Sequence, residues 1–333
     1  MRAGTILPTP AHRQHRSEGW CDNRAVRPES QFGSLRRGSV ERLEWENDRG
    51  IKVYGDLVLP TGWNPSAGRL PLVIVQYVTR GFLRGGTGDE FPIFPFAARG
   101  FAVLSLQRPA YVADLSGANT HAERVKLNYE GWADRKSVMS AYATGIQMLV
   151  DRGIVDPKRV GITGLSDGTV SAAFALLNSK LFAAASLTAC CEDPKTQLLM
   201  MGNLGAEDLR NFRYPAYTDD APAFWDPYSI ARNAVRFNTP LLSQTADDEY
   251  LGSVEAYASL REYGKPMELI VFPDEHHVKW QPAHRISVYR RNLAWFEFWL
   301  QGDGAADALP SEMARWREMR SKLTDPQNQV PRR

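Results

Sequence analysis

Three short stretches hold residue types that could act together as a nucleophile, a base and an acid. The first is Gly164-Leu165-Ser166-Asp167-Gly168, where the β-branched run "RVGIT" gives way to small helix-forming residues. The second is Ala246-Asp247-Asp248-Glu249, directly after "PLLSQT". The third is Pro273-Asp274-Glu275-His276-His277, directly after "MELIVF". A serine hydroxyl is a poor nucleophile until a base removes its proton, and a carboxylate must in turn orient that base. The chain supplies the three types in the order serine, acid, histidine, each at the end of an apolar run.

The glycines at 164 and 168 remove side chains that would collide where a strand turns sharply into a helix. Such a turn explains the glycines but does not need the serine between them. A nucleophile elbow needs both, because the serine takes strained backbone angles and stands clear of the sheet. The negative charge that develops on the attacked carbonyl then requires donors. The backbone N–H of Asp167 is one. The second is expected at the end of "PLVIVQ", where the Tyr77 phenol is placed to donate.

Those three loops need elements to hold them. "SVERLEWEND" and "RGIKVYGDLVLP" alternate apolar and polar residues about a turn at Asp48-Arg49-Gly50, which predicts a hairpin. "PLVIVQY" (71–77) and "FAVLSLQ" (101–107) are continuous apolar runs, as strands covered on both faces require. "DRKSVMSAYATGIQMLVDRG" repeats its apolar residues at helical spacing, and Asp156-Pro157 then turns the chain into "RVGITG". Strand and helix alternate through "SAAFALLNS", "LFAAASLTA", "PLLSQTA", "VEAYASLREYG", "MELIVF" and "RISVYRRNLAWFEFWLQG". The expectation is an α/β-hydrolase fold: a mostly parallel, doubly wound sheet with helices on both faces. Residues 39–302 form the catalytic domain in this reading, with 192–237 packed over one end of the sheet as a cap. Residues 1–38 read as an irregular linker, and 303–333 as a terminal helix with a polar tail.

The remaining composition narrows the choice. The charges of 40 Lys and Arg against 38 Asp and Glu nearly cancel, so no overall field points to nucleic acid or to a membrane surface. The arginines near the start, from Arg2 to Arg37, and the final Arg332 and Arg333 read as solvated tails. Cys21, Cys190 and Cys191 make no disulfide framework, and the adjacent pair is expected to be reduced and buried. No run approaches the ~18 apolar residues of a membrane span. The first residues lack the apolar core of a secretory signal, so the expected compartment is the cytoplasm. The six histidines show no zinc spacing, and Gly85-Gly86-Thr87-Gly88 lacks the lysine of a phosphate loop. No cofactor or metal is expected, and the glycine run reads as a loop at the mouth of the site.

Taken together, Tyr77, the Gly-x-Ser-x-Gly elbow, "TADDEY" and "PDEHH" resemble the catalytic domain of the prolyl oligopeptidase family over about residues 40 to 301. The resemblance implies Ser166, Asp247 and His277 as the catalytic triad, with Asp248 and His276 set aside, and Tyr77 and Asp167 at the oxyanion hole. Thr169 stands where many members carry a further glycine. Longer strings narrow the likeness: "VIVQYVTRGFLRGGTGDEFPI", "GITGLSDGT", "TACCEDP", "ADDEYL" and "FPDEHHVKWQPAHR" are similar to the lasso peptide isopeptidases. That resemblance implies hydrolysis of the isopeptide bond that closes the ring of a lasso peptide. Members carry an N-terminal β-propeller, whereas about forty non-repetitive residues precede the domain here. The expected architecture therefore has no propeller, and the surface thus uncovered is expected to favour a homo-oligomer. The alternatives are an acylaminoacyl or dipeptidyl peptidase, an esterase, or a non-catalytic remnant that binds peptide.

Overall fold

The protein is described by a computed structural model over residues 38–78, 90–189, 193–216 and 218–324. The expectations for residues 1–37, for the glycine run at 85–88 and for Cys190 and Cys191 lie outside these residues.

Eight strands make one sheet: β1 (Val40–Glu46), β2 (Lys52–Val58), β3 (Leu70–Tyr77), β4 (Ala102–Gln107), β5 (Val155–Leu165), β6 (Ala184–Thr188), β7 (Leu241–Ala246) and β8 (Met267–Phe272). Their spatial order is β1-β2-β4-β3-β5-β6-β7-β8. The β1–β2 hairpin joins β4 in antiparallel register, and every pairing from β4 to β8 is parallel. β4 lies on one side of β3 and β5 on the other, so the chain reverses its winding between β3 and β5. A crevice opens at the carboxyl ends of strands at such a switch point. Ser166 follows β5 directly.

The expected turn at Asp156-Pro157 is instead an irregularity inside β5. Leu70 pairs with Val155 while Leu72 pairs with Val160, so the register slips across these residues. Pro157 has no N–H for the ladder, and the Asp156 side chain accepts from the Lys158 N–H at 2.9 Å. The strand therefore bulges and resumes.

Nine described helices follow in chain order: α1 (Ile93–Ala98), α2 (His121–Tyr129), α3 (Ala133–Asp151), α4 (Asp167–Asn178), α5 (Pro194–Asn211), α6 (Pro222–Trp225), α7 (Leu251–Glu262), α8 (Pro282–Phe296) and α9 (Pro310–Thr324). Strand residues alternate between two cores. Leu72, Ile74, Leu104 and Ile162 face Tyr142 and Ile146 of α3, Ala172 of α4 and Leu260 of α7. Val73, Val75, Val103 and Leu165 face Phe96 of α1, Trp295 and Phe296 of α8 and Trp316 of α9. This two-sided burial explains why the central strands read as unbroken apolar runs. Close packing is enforced at Gly161, where a Cβ would stand 2.5 Å from the Phe296 ring.

The segment from 193 to 237 carries α5 and α6. Tyr214, Trp225 and Tyr228 form a third apolar cluster there with Trp132, Val170 and Phe174, beside α4. No described helix is long and apolar enough to cross a membrane.

Candidate active site

Ser166 caps α4 with φ 57° and ψ −130°, a left-handed conformation that serine avoids without a reason. Two features hold it. A Cβ on Gly164 would come within 2.7 Å of the Gly168 carbonyl oxygen, so only glycine lets strand and helix approach this closely. The fully buried Gln76 of β3 donates from Nε2 to the carbonyls of Thr163 (2.8 Å) and Gly168 (2.6 Å), pinning both arms of the bend. Thr169 fits without loosening the turn. Its Oγ1 donates to the Thr188 carbonyl at 2.8 Å, which ties α4 to the end of β6.

The N–H of Asp167 opens α4 and so has no acceptor within the helix. It is directed to the same helix N-terminus where developing negative charge is favoured. The Asp167 side chain turns away to Arg135, which donates from its two terminal nitrogens at 3.0 and 2.5 Å and also to Ser171 at 2.8 Å. Arg108 lies 3.6 Å from the same carboxylate and pairs with Asp134. Burial alone would push the Asp167 carboxyl up, but Arg135 and Arg108 hold it below the ordinary range. Its stabilising contribution is therefore present above the ordinary carboxylate pKa and lost as pH falls through the depressed one. Arg135→Leu would strand this carboxylate beside the bend. We expect a loss of about 3–5 kcal/mol, read as a lower urea midpoint at neutral pH.

Tyr77 ends β3, with its Cα in register with Gln107 of β4. Its side chain lies outside the described residues.

The histidine and acid loops leave β8 and β7 side by side, since Ala246 and Phe272 are paired and the Asp247 N–H donates to the Phe272 carbonyl at 3.0 Å. His277 is half-buried, and its Nδ1 lies 2.6 Å from Oε1 of Glu249. The expectation that Asp247 would orient the histidine is corrected here. Asp247 sits on the last rung of the ladder, and its short carboxylate accepts from the backbone N–H of Asp274 (2.9 Å) and Glu275 (3.3 Å). Glu249 stands two residues further on with one more methylene, and it reaches the ring. Asp248 is exposed, and the His276 ring leans on Trp280 with centroids 6.0 Å apart. The hydrogen bond to Glu249 raises the His277 pKa above its ordinary value.

Two more carboxylates fix the histidine loop. Glu275 accepts from the N–H groups of Trp280 (2.9 Å) and Gln281 (3.1 Å) and lies 2.8 Å from Nδ1 of His284. Glu90 accepts from the Lys279 N–H at 2.9 Å, with the Lys279 ammonium 3.6 Å from its other oxygen. Lys279 also donates to the Gln244 carbonyl at 3.0 Å. Both members of this pair are buried, which pushes the Glu90 carboxyl up and the Lys279 ammonium down. Breaking a buried pair from one side leaves an uncompensated charge. Lys279→Met is expected to cost about 3–5 kcal/mol, and adding Glu90→Gln is expected to recover part of it, as chemical denaturation of both variants would measure.

Sequence reasoning placed Ser166, Asp167 and His277 at strand ends and missed Glu249, Gln76, Arg135 and the Glu90–Lys279 pair. Glu249 had a signal in the third carboxylate of "ADDE". The other residues are distant in sequence and had none. Among the described residues, no group of three or more His, Cys, Asp or Glu side chains is placed to hold a metal ion.

A mixed sheet wound about β3 and β5, with a serine strained on the bend after β5 and a histidine–carboxylate pair delivered from β7 and β8, defines an α/β-hydrolase fold. Residues 120–303 match the Prolyl oligopeptidase family. The chain belongs to that family. It is 45% identical over 296 residues to the lasso peptide isopeptidase AtxE2 of Asticcacaulis excentricus, covering 88% of this chain and 42% of that protein. The structure of AtxE2 isopeptidase without ligand superposes with a TM-score of 0.83 over 87% of this chain and 44% of the other. A variant of AtxE2 with Astexin3-dC4 bound gives the same TM-score, 0.83, over 88% and 45%. An acylaminoacyl peptidase from Pyrococcus horikoshii, at 17% identity and TM-score 0.59 over 82% and 43%, shares the fold alone. The chain thus spans less than half the length of the relatives it matches.

Proposed function

We propose that the chain is a serine hydrolase that opens the isopeptide bond of a lasso peptide. The observation that carries this reading is Ser166, strained on its bend at the same carboxyl edge of the sheet that bears the His277–Glu249 pair. The 45% identity to a lasso peptide isopeptidase supports the choice of substrate.

In this mechanism His277 takes the Ser166 proton at Nε2 while Glu249 holds Nδ1 and stabilises the imidazolium that forms. The Ser166 oxygen attacks the side-chain carbonyl of the ring-closing Asp or Glu, and the Asp167 N–H donates to the oxyanion. Collapse breaks the C–N bond, and His277 hands its proton to the departing N-terminal amine. Water, deprotonated by the same histidine, then attacks the acyl-enzyme and restores the serine.

The test is mass spectrometry of a threaded lasso peptide after incubation with the protein. A gain of one water by the peptide is the expected result, alongside labelling of Ser166 by a fluorophosphonate. A peptide of unchanged mass together with an unlabelled serine would overturn the reading. A linear peptide and an aryl ester offered beside it would reveal a broader peptidase or esterase if either were clearly preferred.

A further inference from the structure

A cleft of about 270 Å³ opens at the amino end of β8, the end of that strand away from the histidine loop. Tyr257 and Arg261 of α7, Lys265 just beyond it and Met267 at the start of β8 line it. So do Arg315, Glu318, Met319 and Lys322 of α9, whose spacing puts all four on one face of that helix. The mechanism above uses none of these residues.

Cations outnumber carboxylates in this lining by four to one. Two of the four are engaged, Arg315 with Glu268 of β8 and Lys322 with Glu318 at 2.6 Å. The other two have only neutral partners among the described residues. Arg261 donates to the Tyr257 hydroxyl at 2.9 Å, and Lys265 to Oδ1 of Asn238 at 2.8 Å. A guanidinium carries five N–H donors and an ammonium three, so most of theirs stay open. Burial pushes the Lys265 ammonium down with no carboxylate to oppose it, a cost that a bound anion would offset.

The end of a helix repels an anion when its last carbonyls are bare. At α7 two of them are taken up. The N–H groups of Gly264 and Lys265 donate to the carbonyls of Arg261 and Leu260 at 3.0 and 2.8 Å, and the left-handed Gly264 (φ 64°) closes the turn. The rest of the lining is apolar. Met267 is buried, and Met319 and Tyr257 are partly so. The cleft therefore offers carbon as well as charge, at a volume near the small end of ligand sites.

We propose that this cleft binds a small organic anion, a phosphate or carboxylate group carried on a short apolar body. The charged group takes the open donors of Arg261 and Lys265, since a guanidinium fork matches either oxyanion. The apolar body covers Met267 and Met319. The proposal goes beyond the hydrolase reading and does not depend on it.

The experiment is calorimetric titration of the full chain with phenyl phosphate, inorganic phosphate, benzoate and benzylammonium. Phenyl phosphate is expected to saturate one site. It should bind more tightly than benzoate, because a dianion meets two cations, and more tightly than inorganic phosphate, which lacks the ring. Benzylammonium should not bind. Arg261→Met and Lys265→Met are each expected to weaken phenyl phosphate by roughly ten- to a hundredfold. Arg49→Met, exposed on the β1–β2 turn, should change nothing. Glu318→Gln removes the carboxylate of the lining and should tighten binding by about two- to fivefold. Arg261 is exposed, so its variant keeps the fold and decides the matter even if Lys265→Met does not. Benzoate bound more tightly than phenyl phosphate would uphold the site and assign it to carboxylates. No saturable binding, equal binding of benzylammonium, phenyl phosphate no tighter than inorganic phosphate, or affinity untouched by Arg261→Met would overturn it.

Discussion

Ser166→Ala is expected to lower turnover of an isopeptide substrate by about 10⁶-fold and to leave the fold standing. The loss is large because, in the proposed mechanism, the serine and histidine work as a unit. Without the oxygen, His277 has no proton to take and no acyl-enzyme can form. The backbone of residue 166 is held by its surroundings rather than by its own hydroxyl. Gln76 grips the carbonyls of Thr163 and Gly168, and Gly164 permits the close approach. Alanine inherits the same left-handed angle and the same strain. Glycine does not, because it adopts positive φ freely. Ser166→Gly should therefore be as inactive as the alanine variant but more stable than the wild type by about 1 kcal/mol, part of the relief being offset by its freer unfolded chain. Paired urea titrations and single-turnover assays would check both statements. A glycine variant less stable than wild type would mean that the bend is not strained at this residue.

The strands and the long helices were legible in the sequence because each buries a defined face. The unbroken apolar runs of β3, β4 and β7 match strands covered by both cores, and the alternation about Gly50 matches a hairpin whose β1 is mostly exposed and whose β2 becomes buried toward its end. The bulge at Pro157 was harder to see, since an Asp-Pro pair signals a turn whether the strand ends or only kinks. The site divides along the same line. Ser166 is readable because its chemistry is local, being two glycines, a strand and a helix. The partner of His277 is not, because three carboxylates follow β7 and the pattern does not say which one reaches. That choice depends on the Asp247 N–H staying in the β7–β8 ladder, and on the backbone donors of Asp274 and Glu275 occupying its carboxylate. Glu90 and Lys279 are separated by most of the chain, and only the fold brings them together.

The two acidic residues of the β7 loop should differ sharply when each is replaced by its amide. Glu249→Gln is expected to lower kcat by about 10⁴-fold, since an amide can present N–H to Nδ1 and hold the wrong tautomer. Asp247→Asn keeps an oxygen for the shorter bond from Asp274 and gives up the 3.3 Å bond from Glu275, and its cost is expected to stay within about tenfold. The pH dependence separates the roles further. The base must be neutral, and Glu249 raises the His277 pKa, so the acid limb of kcat/KM lies above the ordinary histidine value in the wild type. Glu249→Gln removes the charge and moves that limb to lower pH, whereas Asp247→Asn leaves it in place. Stability follows the same sign. A histidine whose folded pKa is raised stabilises the protein below its unfolded pKa, and this is lost as pH rises through the folded one. The contribution of the His277–Glu249 pair should then appear in acid and fade toward alkaline pH. Asp247, whose carboxyl the two N–H donors hold below the usual range, behaves oppositely, contributing above the ordinary carboxylate pKa and losing that contribution as the solution becomes strongly acidic. A 10⁴-fold loss in Asp247→Asn with a near-normal Glu249→Gln would return the triad to aspartate and require the histidine loop to move during turnover.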